Sequence, residues 1–258
     1  MSQVVWWCEL LVVLSWVAAG ICTLRGAGRW TLGYRVLTGL GLLMLTGLIL
    51  WLWWELGRPP LRTLGETRLW YAVLSVAAGG VLALRLNVTA LRLPMLGLGS
   101  LFLCLNLALP QTLDRTLMPA LLSPWFVPHV VVYLLSYAVL GLSAAVAAWR
   151  LLRSQADADL PWRLVHAGLP LLTFGLLMGA VWAKEAWGHY WAWDPKETWA
   201  LLTWIVYVAL VHLERGLLTR PRLSLTLIAG GFLVVLMCWF LVNHLPSTEV
   251  SVHTYSRQ

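Results

Sequence analysis

The sequence predicts an all-α membrane protein of about eight transmembrane helices, and three observations support this. Of its 258 residues, 60% are hydrophobic and 11% are charged, against about a quarter charged in an ordinary soluble domain. Stretches of about 20 mostly apolar residues, the length that crosses the hydrocarbon core, recur along the chain. These stretches are continuous rather than alternating, which excludes a β-barrel.

The first span, about 4–24, lies in "MSQVVWWCELLVVLSWVAAGICTL". It lacks a basic leading segment and is long enough to cross, so it reads as a retained helix and not a removable signal. Further spans are expected at about 36–55, 69–85, 89–109, 126–149, 164–184, 198–213 and 224–245. Their connections are short, which predicts one integral-membrane domain over 1–258 with no soluble domain. The seventh span is short and follows a Trp-rich loop at 185–199.

Basic residues in short loops set the orientation of such a bundle. One side carries Arg25, Arg29, Arg35, Arg85, Arg92, Arg150, Arg153, Arg163, Arg215, Arg220 and Arg222. The other carries Arg58, Arg62, Arg68, Arg115, Lys184, Lys196 and Arg257. Eleven against seven places both termini and the Trp-rich loop outside. The net charge of +7 does not point to nucleic acid, because these arginines are scattered among loops. Cys8, Cys22, Cys104 and Cys238 stand in separate apolar segments. Without a C-x-x-C or C-x-x-C-H pattern, the chain neither attaches its own c-type haem nor works as a thiol oxidoreductase.

The most distinctive stretch is "WGHYWAWDPKETWALLTW", Trp187 to Trp204. Asp194-Pro195-Lys196-Glu197 reads as a helix start, with Asp194 as N-cap, Pro195 at the first helical position and Glu197 closing a capping box. Trp187, Trp191, Trp193 and Trp199 fall within thirteen residues, with Tyr190 among them and Trp204 beyond. An interfacial aromatic belt supplies one or two such rings per helix end. A denser group makes a platform for a large, flat, apolar guest such as a porphyrin.

Ionisable residues in membrane segments are costly and default to functional candidates, and neutral imidazole is the common axial ligand of haem iron. His129 is expected in the first turn of the fifth span and His253 in the outer tail, both on the side of the Trp-rich loop. His212 lies thirteen residues beyond Trp199, about 20 Å along a helix at 1.5 Å per residue, near the inner face. Two levels of histidine suggest two positions for one cargo. His166 reads as an interfacial histidine beside Arg163, His189 lies inside the Trp-rich stretch, and His244 closes the eighth span.

At these residues the chain resembles a known family. "GAVWAKEAWGHYWAWDPKETWALLTW", Gly179 to Trp204, is similar to the tryptophan-rich WWD signature of the haem-handling cytochrome c assembly proteins. Its W-D-P-K-E-T-W form resembles that of the System II, CcsA/ResC branch. "PWFVPHVVVYLLSYAVLG", "YVALVHLERG", "VNHLPSTEVSVHTYS" and "GRPPLRTLGETRLW" also resemble family segments, so the likeness covers about 55–258. The resemblance implies that His129 and His253 ligate an outer haem iron and His212 an inner one. It implies that Trp187, Trp191, Trp193 and Trp199, with Asp194, line the cofactor site. The segment from Asn243 to His253 is longer than the family's, and His244 stands where the family has an apolar residue, so His244 is the alternative second outer ligand.

The resemblance further implies haem b as transported substrate, in a bacterial inner or thylakoid membrane. The implied partners are a CcsB/ResB-type membrane subunit, apocytochrome c, and thioredoxin-like thiol-reducing assembly factors. The implied function is a subunit of a haem export and holocytochrome c synthase (haem lyase) complex that presents haem to the thiols of a C-x-x-C-H peptide. The thiols come from the peptide, so catalysis here would be positioning. Haem delivery without a part in ligation is the alternative. Lys184, Lys196 and Arg58 are candidates to pair with haem propionates.

Overall fold

The computed structural model describes residues 2–26, 29–109, 120 and 123–244. Among them are eight α-helices: α1 (Ser2–Leu24), α2 (Arg29–Leu56), α3 (Leu64–Arg85), α4 (Arg92–Ala108), α5 (Phe126–Leu152), α6 (Asp159–Trp187), α7 (Pro195–Leu217) and α8 (Pro221–Trp239). A 3₁₀ turn precedes α4 and another, Leu241–His244, follows α8; no strand occurs among the described residues. All eight helices, α4 counted with its leading turn, are long and apolar enough to cross a membrane. The chain is an all-α integral membrane protein.

Several helices outrun the apolar stretches that announce them. The sixth and seventh spans are expected over 164–184 and 198–213, yet the helices are Asp159–Trp187 and Pro195–Leu217. Their added turns carry Asp159, Arg163, Glu214 and Arg215. Backbone hydrogen bonding carries a helix past the point where hydropathy falls, because polar residues at its ends remain good helix formers.

The chain divides into two compact units, Met1–Leu117 and Met118–Gln258. In the first, α1 packs on α2 and α4, and α3 packs on α4. Trp16 of α1 is fully buried where Gly41 of α2 and Gly99 of α4 leave room, since a methyl on either glycine would collide with its indole. A buried polar network joins three helices and a loop. Arg58 makes a two-pronged ion pair with Glu66 at 2.8 and 2.9 Å. The amide of Asn106 donates to Glu9 at 3.2 Å and to the Gly65 carbonyl at 3.0 Å, while Arg68 donates to its oxygen at 3.4 Å. Charges this deep are tolerable only when paired and hydrogen-bonded.

In the second unit α5 packs on α6 and α8, and α7 packs on α8 and α6. The antiparallel α5–α6 seam is the tightest part. Idealised methyls placed on Gly179, Gly175 and Gly168 of α6 would meet His129, Tyr133 and Leu140 of α5 at 2.6, 2.8 and 2.6 Å. Each α5 side chain is therefore a knob in a hole made by a missing side chain, the close approach that glycine permits between membrane helices. Between Tyr133 and Leu140, Ser136 donates to the Gly168 carbonyl at 2.9 Å, and beyond Leu140, Ser143 donates to the Pro161 carbonyl at 2.7 Å. His129, Tyr133, Ser136, Leu140 and Ser143 follow one another at alternating steps of four and three, the spacing of a continuous seam in a helix pair.

Candidate functional site

His129 is the outermost knob of this seam, in the first turn of α5. Its Nδ1 lies 2.9 Å from the Gly175 carbonyl oxygen. A carbonyl only accepts, so Nδ1 carries the proton; the neutral ring then has its lone pair on Nε2, the arrangement common among metal-ligating histidines. Trp182 stacks on the imidazole at 5.6 Å with 19° between the planes, and Tyr133 meets it edge-on at 5.0 Å.

Trp182 begins a chain of rings. It meets Trp187 edge-on at 4.7 Å and Phe126 at 5.4 Å, and its indole N–H donates to the Ala120 carbonyl at 2.8 Å. It is nearly fully buried. Trp182 carries no role in the sequence reading, although it lies three residues beyond Gly179 and therefore on the same face of α6. That spacing is the signal that would have found it once Gly179 is known to face His129.

The Trp-rich loop between α6 and α7 is fastened at both ends. Gly188 closes α6 in a left-handed conformation, φ 86°, with its N–H on the Lys184 carbonyl. Lys184 in turn donates to the Gly188 carbonyl at 2.7 Å and lies over the Tyr190 ring. At the far end the capping box expected from the sequence is present. Asp194 accepts from the Lys196 N–H at 2.9 Å, and Glu197 accepts from Asp194 at 3.2 Å and from Ala192 at 2.7 Å. Between these anchors Trp191 and Trp193 meet edge-on at 5.9 Å. Trp193 is 69% exposed and takes a positive φ of 58°, a conformation that a bulky side chain adopts only at a cost.

The other sequence candidates are spread apart. His212 lies near the far end of α7, exposed, with Nδ1 2.8 Å from the Val208 carbonyl, to which it donates. Glu214 of α7 pairs instead with His166 of α6 at 2.9 Å. Trp199 lies at the start of the second turn of α7, half-buried, and His189 is exposed in the loop. Arg58, a propionate candidate, is buried against Glu66. The backbone of His244 falls in the turn after α8, its side chain and all of His253 lie outside the described residues, and no metal-ligating cluster occurs among those described.

The family model for the cytochrome C assembly protein matches residues 66–248, from the buried Glu66 of α3 past the end of α8. The chain belongs to the cytochrome c assembly protein family. Within the family it is of CcsA type. It is 32% identical to the cytochrome c biogenesis protein CcsA of Synechococcus sp. (strain WH7803), covering 95% of this chain and 91% of that one. It is 32% identical to CcsA of Prochlorococcus marinus (strain AS9601), over 86% of this chain and 84% of the relative. For CcsA of Chlamydomonas reinhardtii the identity is 33%, over 81% and 65%. Among solved structures, the cytochrome c heme lyase CcmF shares the fold, with a TM-score of 0.68 and 20% identity over 93% of this chain. The chain spans 45% of that protein's length. This member of the family is a membrane protein of cytochrome c biogenesis.

Proposed function

We propose that this chain holds haem b at the outer face of the membrane, as a subunit of a holocytochrome c synthase, while its vinyl groups meet the thiols of apocytochrome c. The observation that supports this reading is the setting of His129: its ring is fixed through Nδ1 on a backbone carbonyl and backed by Trp182, which leaves Nε2 as the lone-pair nitrogen of the neutral imidazole. Neutral nitrogen donors suit haem iron. His253, or His244 in its place, is the proposed second outer ligand, and His212 the proposed inner ligand, opposite a histidine of a CcsB/ResB-type subunit. Trp187, Trp191, Trp193 and Trp199 are the proposed porphyrin-facing rings, with Asp194 anchoring the loop that carries them. Both termini and this loop lie on the outer side in this reading, where thioredoxin-like factors keep the peptide thiols reduced.

The chain's own contribution is to bind, orient and shield the haem; the thioether bonds form from the peptide's thiols. The test is expression with the partner subunit and a c-type cytochrome reporter in a host lacking its own assembly system. The wild-type complex is expected to carry a haem Soret band and yield covalent cytochrome. His129→Ala is expected to abolish the covalent product, with partial restoration by imidazole in the medium. A complex without haem absorption would overturn the reading, and bound haem without covalent product would favour delivery alone.

A further inference from the structure

Two glycines touch the imidazole of His129 in different ways. Gly175 offers its carbonyl oxygen to Nδ1 at 2.9 Å. Gly179 offers the space of an absent side chain: a methyl there would stand 2.6 Å from Cε1 and 2.9 Å from Nδ1 of the same ring. Ordinary contact between such atoms is about 3.5–4.0 Å, so any larger residue at 179 would drive the ring off by about 1 Å. The ring has little freedom to absorb that shift. Trp182 stacks against it, Tyr133 stands edge-on, and both are buried.

We infer that Gly175 and Gly179 are positioning residues for His129, Gly175 by fixing the tautomer that puts the lone pair on Nε2 and Gly179 by admitting the ring to that hydrogen bond. This rests on the reading of His129 as an axial ligand. The bond is the first thing a displaced ring loses, since its donor atom is among those nearest the intruding methyl. A histidine without that partner neither points reliably nor favours one tautomer. Gly175 is itself bound to be small, because a methyl there would stand 2.8 Å from the Tyr133 ring.

The competing explanation is that these glycines serve packing alone, and the same seam supplies the control. A methyl on Gly168 would meet the fully buried Leu140 at 2.6 Å, as severe a collision as at Gly179, but about three helical turns from His129. Gly179→Ala and Gly168→Ala are to be compared in the complex with the partner subunit, reading haem per folded protein and the low-spin spectrum of the reduced haem. Gly179→Ala is expected to lose haem about tenfold or more, as for other residues that orient a metal ligand, while Gly168→Ala keeps the wild-type spectrum. A third variant makes the result independent of folding losses. In His129→Gly supplied with imidazole the collision has gone, so adding Gly179→Ala is expected to change nothing further. Wild-type haem in Gly179→Ala, equal losses in both alanine variants, or a further loss in the double variant would each overturn the inference. Undiminished haem in His129→Gly without imidazole would instead overturn the ligand reading beneath it.

Discussion

Two helices of this protein, α3 and α7, begin with the same device and use it to opposite ends. In α3, Thr63 accepts from the Glu66 N–H at 3.1 Å and Glu66 reaches back to the Thr63 N–H at 3.3 Å and to Arg62 at 2.7 Å. In α7, Glu197 does the same for Asp194 and Ala192. The loop before α3 is then sealed: Arg58 folds onto the carboxylate of Glu66, and Leu61 of the loop is fully buried. The loop before α7 is held at its ends and left exposed between them, at His189, Tyr190 and Trp193. The left-handed residue of the first loop is Gly57, φ 65°, which accepts that conformation without strain. In the second loop, besides Gly188, it is Trp193. The same capping device thus closes one loop and holds out the other, and of these two loops the one that presents an aromatic face is the one that carries a non-glycine residue at positive φ.

The sharpest break in this comparison is expected from the two capping glutamates. Glu66→Gln removes the carboxylate charge that the buried Arg58 guanidinium grips with two bonds and is expected to cost about 3–5 kcal/mol, read as a large drop in the thermal midpoint of the detergent-solubilised protein. Asp194→Ala removes the cap's acceptor and is expected to cost about 1 kcal/mol, with at most about a twofold fall in haem per folded protein because Gly188 and Lys184 still fasten the other end of the loop; a many-fold haem loss would give Asp194 a direct role at the site. Glu197→Gln keeps an oxygen acceptor toward Asp194 and Ala192 and is expected to cost less than about 1 kcal/mol; a loss equal to that of Glu66→Gln would erase the distinction between the loops. Trp193→Gly is expected to change stability least, within about 0.5 kcal/mol, because relief of the positive φ offsets glycine's greater chain entropy. Haem content should nevertheless fall, and unchanged haem would return Trp193 to the role of an interfacial belt residue.

The eight helices were legible because continuous apolar stretches leave a chain in a membrane no other way to satisfy its backbone. The α7 start was legible because a capping box is local, set by residues three apart. The environment of His129 was not. Its position at the head of α5 follows from the Pro128 turn, but its neighbours Trp182, Gly175 and Gly179 lie 46 to 53 residues further on. Which α6 residue meets which α5 residue depends on how glycine holes and side-chain knobs interlock, a tertiary property that periodicity does not encode. The family resemblance assigned a role to His129 without showing what holds it.

The α5–α6 seam also works as a vernier. Three glycines must face three side chains at once, at intervals of four and seven residues on both helices. Deleting or inserting one residue within 129–140 or 168–179 would turn the following side chains by about 100° and move them about 1.5 Å along the axis, misaligning every mark beyond it. Length variation among relatives is therefore expected to collect outside those two segments. The height at which His129 stands is recorded three times over in the spacing of the pair.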